Sequence, residues 1–434
     1  MEAGFAKVCI TPPTGTTMYG FAGRDRDHGC EKVHDNLFVR ALYLSHQGEE
    51  MLILGFDLLF FSRSDADRYK GAVGRKLDLA PKRILLNTSH THCGPVLGTT
   101  WSFADYDKGP DRLYADEVEK ATVRAGCEAR DNARDVTLWA GATRSSVPMS
   151  RRKGDEQGNI QFAPNPKGAV CDLLPFCLIK DTTGKPVCLL FSVSCHPSTI
   201  GGFEISADFP GPAMDMLDRE LGATCSLFLQ GCGGDAKASI IGQGDKWRGG
   251  TWDEVAQAGH TLAKEVLRGI GTGLARIEPK IRCGLVDMEW PLKPAMDRAG
   301  FEALGADAKT DEVRRLWAKR QLERLERGQK LATSVSITLH GVALGKGLRL
   351  IGLEGEAVAE LGLFMLDFYK GKGTTFPLGY TDGAQLYLPT SAMLDEGGYE
   401  AVSAHEYGHP ASLAKGVEAI ILDGLKRLEA QGVR

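Results

Sequence analysis

The feature that most constrains this chain is the alternation, through its front half, of short apolar β-like runs with amphipathic helical stretches, separated by turns rich in Gly and Pro. Such an order produces sheets flanked by helices. It predicts an α/β fold with mixed β-sheets flanked by α-helices. Met51 to Phe61 and Arg83 to Asn87 read as buried strands, with a helix from Ser64 to Leu79 between them. Leu113 to Arg134 reads as a longer helix and Val187 to Ser194 as a strand. A helical pattern follows Phe209-Pro-Gly-Pro212 as far as Glu220, and Cys225 to Leu229 returns to strand. In the back half, Asp311 to Lys330 is a charge-dense helix on which Val313, Leu316 and Trp317 share one face while Leu322 and Leu325 sit to its side. A broken stripe of this kind suits a solvent-facing or oligomeric helix, and with it a homodimer. Ser334 to Ala343 and Leu348 to Leu353 read as paired strands and Ser412 to Glu429 as a closing helix. With no repeat or low-complexity linker, residues 1–434 read as one unit, any subdomain boundary falling near 275–300.

The 52 basic and 56 acidic residues give a net charge of −4, with no surplus of positive charge to draw in a nucleic-acid backbone. No apolar run approaches the roughly 20 residues that span a bilayer. The N-terminus Met1-Glu-Ala-Gly-Phe5 lacks the basic and apolar regions of a secretion signal, so no stable membrane insertion is expected. The 11 cysteines are odd in number, contain no C-x-x-C and sit mostly in apolar strand-like runs, where reduced thiols act as small hydrophobes. This points to a reducing compartment and, for a chain starting at Met1, to the cytoplasm.

Two strand ends carry the chemistry. Asn87-Thr-Ser-His90-Thr-His92-Cys-Gly-Pro95 follows the apolar run Ile84 to Leu86, and Cys195-His196-Pro197 follows Leu189 to Ser194. Histidines at strand ends lie where α/β proteins build ligand sites, and imidazole is a common metal ligand. Three other segments have the chemistry to complete such a site: Gly352-Leu-Glu-Gly-Glu356, the pair Tyr387 and Tyr399, and Gln230-Gly-Cys-Gly-Gly-Asp235. Spacing alone does not pair them.

The ordered motifs resemble a known family. Phe5-Ala-Lys-Val-Cys-Ile-Thr-Pro12-Pro13, Val33-His-Asp35 with Arg40-Ala-Leu, and Thr88-Ser-His-Thr-His-Cys-Gly-Pro95 resemble the opening of the neutral/alkaline ceramidase N-terminal domain family. Cys195-His-Pro, Ser206-Ala-Asp208, Gly234-Asp235, Gly355-Glu356, Tyr387-Leu-Pro-Thr390 and Tyr399-Glu400 follow in that family's order. The resemblance implies a neutral-ceramidase-catalytic-domain-like fold and a catalytic Zn2+ held by His90, His196, Glu356 and Tyr387. The kept interval to Tyr399 selects Tyr387 over Tyr380. It further implies that His92 acts on the attacking water or the oxyanion, that Arg151 (Arg152 being equally legible) contacts the substrate, and that Tyr399 donates to the same oxygen. His34, Asp235 and Lys237 are the expected substrate contacts. Lys237 stands where ceramidases have a required serine, and the closing helix leaves no stretch for their immunoglobulin-like C-terminal domain; both features point away from ceramide.

The expected activity is therefore zinc-dependent hydrolysis, by metal-activated water, of an amide or related acyl bond in a small soluble substrate of the N-acyl amine or amino-sugar type. Lys237 suits a carboxylate, phosphate or sugar hydroxyl. Two alternatives use the same residues differently. One is an amidohydrolase-type metal hydrolase, which requires an eight-fold barrel. The other is a metal-stabilised carbohydrate or small-molecule binding protein without turnover. A metallo-β-lactamase-like site is weaker, because Cys93-Gly-Pro95 stands in place of the H-x-H-x-D-H continuation.

Overall fold

The computed structural model describes residues 1–21, 23–25, 27–95, 97, 109–222 and 225–434, the side chains of 109–112 excepted. Its largest sheet runs in the order Cys225–Gln230, Pro186–Val193, Leu173–Asp181, Arg134–Arg144, Glu2–Cys9, Phe38–His46, Glu49–Phe56, Ile84–Thr88, with Ala275–Ile277 added to Arg134–Arg144. Only the two outermost pairs on this path are parallel. In the middle, Arg134–Arg144 meets Glu2–Cys9 over just Glu2↔Asp135 and Ala3↔Arg134, so the sheet folds there. Its two edges come together: Asn87, on one edge strand, accepts from the main-chain N–H of Gln230 on the other at 2.7 Å. This mixed sheet with antiparallel pairs is not the eight-fold parallel barrel, which removes the amidohydrolase-type reading.

Strand alternation divides the core. Leu52, Leu54 and Phe56 pack with Ala66, Tyr69 and Val73 of helix Arg63–Leu77 and with Val118 and Ala125 of helix Gly109–Asp131. Met51 and Ile53 point the other way, into a cluster shared with Leu190 and Leu229 of the far half. Helices Pro210–Glu220 and Trp252–Thr272 cover that half, burying Met214, Leu217, Leu262 and Val266 on Phe176, Leu189 and Phe191. A second sheet, ordered Pro279–Pro291, Ser334–Gly345, Leu348–Leu353, Thr374–Leu378, contributes Val342, Leu350 and Phe376 to the same central cluster as Met51. Its strand Pro279–Pro291 runs through the stretch where a subdomain boundary was expected. Helices Ala359–Phe368 and Val417–Ala430 pack on its other face.

Three elements differ from the sequence reading. The strand expected to reach Phe61 ends at Phe56. Asp57, next in line, turns its carboxylate onto Phe38 N at 2.9 Å and Arg40 Nη1 at 2.6 Å, and the chain leaves the ladder. The closing helix begins only at Val417: Leu413 bridges to Leu292, and Gly416 sits at φ +103°, a conformation that suits glycine. Finally, the charge-dense helix, Glu312–Glu326, packs its buried stripe on its own chain. Trp317 and Ala318 cluster with Phe301 of the preceding helix Arg298–Ala306, and the Trp317 indole N–H donates to His409 O at 2.9 Å.

Candidate metal centre

The two histidine motifs sit at the C-terminal ends of strands on the two halves of the folded sheet. Joining those halves brings the motifs together. His90, just past Ile84–Thr88, is held at φ +65°, an unusual conformation for a residue with a side chain. Its N–H donates to Leu58 O at 2.9 Å. The loops are tied directly, His92 N donating to Pro197 O at 3.0 Å. His196 N donates to Ala236 O at 3.0 Å, which draws in the 231–237 segment.

The third component arrives from the second sheet. Glu356 and Tyr387 face each other in a short parallel ladder, Glu356–Ala357 against Tyr387–Leu388, so both side chains emerge on one side. Glycine is required for this approach: a Cβ on Gly234 would lie 2.5 Å from Glu356 O.

Hydrogen bonding sets the state of each ring. His90 Nδ1 lies 2.9 Å from Leu59 O and His196 Nδ1 lies 2.7 Å from Gly233 O. A carbonyl only accepts, so each Nδ1 carries a proton and each ring turns its Nε2 toward the site. Both Nε2 atoms lie 3.3 Å from the same oxygen, Glu356 Oε2, and the Tyr387 hydroxyl lies 3.3 Å from His196 Nε2. Burial, then the Arg151 guanidinium, lowers His196 to about 3, so its ring is neutral. Burial pushes the Glu356 carboxyl up, but the two histidines outweigh it and hold the group well below the usual carboxylate range. Glu356 also accepts from Tyr380 at 3.2 Å and from Tyr407.

Two imidazole nitrogens and a carboxylate oxygen at these distances form a donor set that could hold a cation. Tetrahedral ligation at about 2.0–2.1 Å places neighbouring ligand atoms about 3.3–3.4 Å apart. The histidines alone form a cluster: ligand nitrogens of His90, His92 and His196 lie within 4.8 Å of one another. His92 Nε2 is 3.2 Å from His90 Nε2, while its buried Nδ1 has no hydrogen-bond partner among the described residues. Burial and the neighbouring imidazoles hold His92 well below the usual histidine value, hence neutral.

Beside this cluster opens a cavity of about 400 Å³, whose lining includes His90, His92, Arg151, Lys237, Glu356, Tyr387 and Tyr399. Its walls are aromatic, with Phe21, Phe60, Phe162 and Tyr407. Arg151 is anchored by Glu400, Nε to Oε1 at 2.8 Å, and its guanidinium lies over Phe162, Tyr387 and Tyr399 at 4.8, 5.3 and 5.4 Å from the ring centroids. Arg152 does not line the cavity. It binds Glu400 and Glu396 at 2.8 and 3.0 Å, so Arg151 is the arginine of the pair that faces the site. Tyr399 lines the cavity, yet its hydroxyl donates to Glu406 at 2.8 Å rather than into the open space. Burial, then Arg151, lowers the Lys237 ammonium to about 8.

Two expected substrate contacts lie elsewhere. His34 is exposed and stacks on Trp252, ring centroids 3.6 Å apart. Asp235 is buried, its Oδ1 accepting from Ala359 N at 2.7 Å and its carbonyl from Arg151 N at 2.8 Å; it braces the site from behind. Asp208 also supports from outside, accepting from Thr199 N at 2.8 Å and Phe209 N at 2.6 Å. Tyr380, Tyr407, Glu400 and Glu406 were not singled out from the sequence. Of these, Glu400 adjoins Tyr399 in the quoted motif, and Tyr380 is the tyrosine set aside there in favour of Tyr387.

Comparison with known proteins gives one consistent likeness. No protein-family model matches the chain, and no curated protein matches its sequence. Among solved structures, neutral ceramidase from Pseudomonas aeruginosa matches with a TM-score of 0.73 at 14% identity, over 98% of this chain and 73% of that one. A structure described as ceramidase complexed with C2 matches with a TM-score of 0.73 at 14% identity, over 99% of this chain and 75% of that one. The chain has the ceramidase fold, a mixed α/β architecture with a large mixed sheet and flanking helices. Among the described residues, no helix is long and apolar enough to cross a membrane.

Proposed function

We propose that this chain is a zinc-dependent hydrolase that cleaves the amide, or a related acyl bond, of a small molecule of the N-acyl amine or amino-sugar type. One observation carries the reading: two buried imidazoles, each with its Nδ1 on a main-chain carbonyl, bring Nε2 to 3.3 Å from one carboxylate oxygen, Glu356 Oε2. Nitrogen and oxygen donors converging at tetrahedral spacing suit zinc. His90, His196, Glu356 and Tyr387 would hold it. When bound, such an ion polarises an acyl carbonyl and brings the pKa of a water molecule down to about 7.

The surrounding residues then have defined tasks. Neutral His92, next to His90, takes a proton from the attacking water and returns it to the leaving nitrogen. Arg151, fixed by Glu400, keeps a buried Nη2 free for the substrate. Tyr399, on turning from Glu406, would donate to the developing oxyanion. Tyr380 and Tyr407 hold the Glu356 carboxylate in place. The cavity falls near the small end of the roughly 300–1,000 Å³ of ligand pockets, and its aromatic walls suit an apolar acyl group.

Metal analysis tests the foundation. Purified protein should carry about one zinc per chain, and His196→Ala and Glu356→Ala should lose it. Hydrolysis of a panel of N-acyl amines, N-acetyl sugars and lactones should stop on chelation and return with zinc. Zinc content unchanged in both variants would sink the proposal; zinc and ligand binding without product would favour the binding-protein reading.

A further inference from the structure

The cavity contains a cation that makes no direct ion pair with any of the described residues. Lys237 lies on the short strand Ala236–Ala238, bridged in parallel to His196, and is 9% exposed, its accessible part lining the cavity. Its ammonium sits 5.9 Å from the ring centroid of Phe162 and 5.5 Å from that of Trp247. Among the described residues it makes no hydrogen bond or ion pair. Asp208 is the carboxylate whose charge reaches it, and the acids of this region each have other hydrogen-bond donors. Asp208 accepts from Thr199 N and Phe209 N, Asp235 from Ala359 N, Glu400 from both Arg151 and Arg152, and Glu406 from Tyr399. Arg151 lies against the same Phe162 ring at 4.8 Å, and its buried Nη2 also lacks a partner.

Burying a charge without a partner is costly, and an apolar wall offsets only part of that cost. The missing partner is an anion, and the place it belongs is inside the cavity. A lysine ammonium and one free guanidinium N–H match the two oxygens of a carboxylate.

Resting on the hydrolase reading above, we propose that Lys237, with Nη2 of Arg151, forms a carboxylate-binding subsite and that the substrates are N-acyl amino acids. Hydrolysis then breaks the amide C–N bond and forms a C–O bond from water, with one proton of that water passing to the leaving nitrogen. The products are a carboxylic acid and a free amino acid. Lys237 binds the carboxylate that the substrate keeps throughout.

The test uses three benzoyl amides of similar size: N-benzoylglycine, N-benzoylethanolamine and N-benzoyl-O-phosphoethanolamine. For the zinc-loaded parent, kcat/KM should favour the glycine compound over the ethanolamine compound by about tenfold or more. In Lys237→Met that ratio should fall by about tenfold, and Lys237→Arg should keep most of it. Calorimetric binding of the same three compounds to chelator-treated parent and variants gives a readout free of turnover. A glycine-over-ethanolamine preference in binding that Lys237→Met abolishes supports the subsite even where nothing is hydrolysed, in which case the hydrolase reading alone fails. Turnover of both compounds with a ratio unchanged in Lys237→Met overturns the subsite and leaves the hydrolase reading standing. A Lys237-dependent preference for the phosphate compound over the glycine compound overturns the carboxylate assignment. Should Lys237→Met melt below the assay temperature, Lys237→Gln replaces it in both arms.

Discussion

Glu356 and Tyr387 are direct partners in a two-residue parallel ladder, with Glu356 N donating to Leu386 O at 3.0 Å. Main-chain pairing thus delivers a carboxylate and a phenol to the same side of the site, where they meet His196. Tyr380 reaches the same carboxylate, but by donating its proton to Glu356 Oε2 at 3.2 Å. The two tyrosines should therefore behave differently. Tyr387→Phe should weaken zinc binding by about 10- to 100-fold and Tyr380→Phe by much less, in a chelator competition titration. The opposite ranking would show that Tyr380 is the ligand.

Asn87 joins the two edges of the folded sheet from a fully buried position. Its Oδ1 accepts from Gln230 N at 2.7 Å and its Nδ2 donates to Gly379 O at 2.9 Å. Asn87→Ala leaves Gln230 N–H buried without its partner, at a cost of about 1–3 kcal/mol, while Gly379 O keeps the Thr381 hydroxyl at 3.0 Å. A loss of about 1–3 kcal/mol in urea unfolding is expected, accompanied by weaker zinc binding, because Gln230 leads into the loop that packs on Glu356. A loss under about 0.5 kcal/mol would show that the seam closes without this amide.

The pH dependence of stability should report a buried ion pair remote from the metal centre. Asp382 lies 2.5 Å from Lys70 Nζ and 2.7 Å from His340 Nδ1, and accepts from Leu86 N at 3.0 Å. Burial pushes its carboxyl up, but Lys70 and His340 outweigh this and hold it well below the ordinary value. A carboxyl lowered on folding contributes stability that is fully present above its unfolded value of about 3.9 and lost as pH falls toward the folded value. Asp382→Asn strands the Lys70 ammonium, so at pH 7 it should cost about 3–5 kcal/mol. In acid titrations followed by circular dichroism, the gap between parent and variant should narrow below about pH 4. A gap constant from pH 7 to 3 would contradict the pairing.

What could be read from the residues follows a physical divide. Strands buried on both faces, such as Glu49–Phe56 and Pro186–Val193, betray themselves by unbroken apolar runs, and the histidines at strand ends inherit that legibility. The partners of Glu356 do not. Tyr407 reaches Glu356 through a short helical turn at Ser403–Tyr407 whose position depends on Trp317 and Gln321, far upstream in the chain. No local pattern encodes that. His34 and Asp235 show the converse difficulty. Each stands in a motif, yet whether such a residue faces a cavity or braces a loop is decided by packing from other elements, here Trp252 and Ala359. The helix Glu312–Glu326 reads as solvent-facing or oligomeric because its apolar stripe is broken; Trp317 and Ala318 are matched to Phe301, and Trp317 and Gln321 to the main chain at 408–409, rather than to a broad core.

That match makes the helix a positioning device for the cavity wall. Trp317 donates to His409 O at 2.9 Å and Gln321 to Gly408 O at 3.2 Å, and the segment they hold presents Glu406 to Tyr399 and Tyr407 to Glu356. Trp317→Ala removes both the ring that packs on Phe301 and the anchoring donor. Cavity formation in this cluster should cost about 3–5 kcal/mol, read as a lower urea midpoint. The informative comparison is with Tyr407→Phe, which deletes only the hydroxyl on Glu356. If the helix acts by holding Tyr407 in place, the two variants should show the same several-fold weakening of zinc binding, and only Trp317→Ala should lose stability. Trp317→Phe, which keeps most of the packing but not the donor, should fall between them in stability. Unaltered zinc affinity in Trp317→Ala, at temperatures where it remains folded, would show that the segment holds its position without the helix.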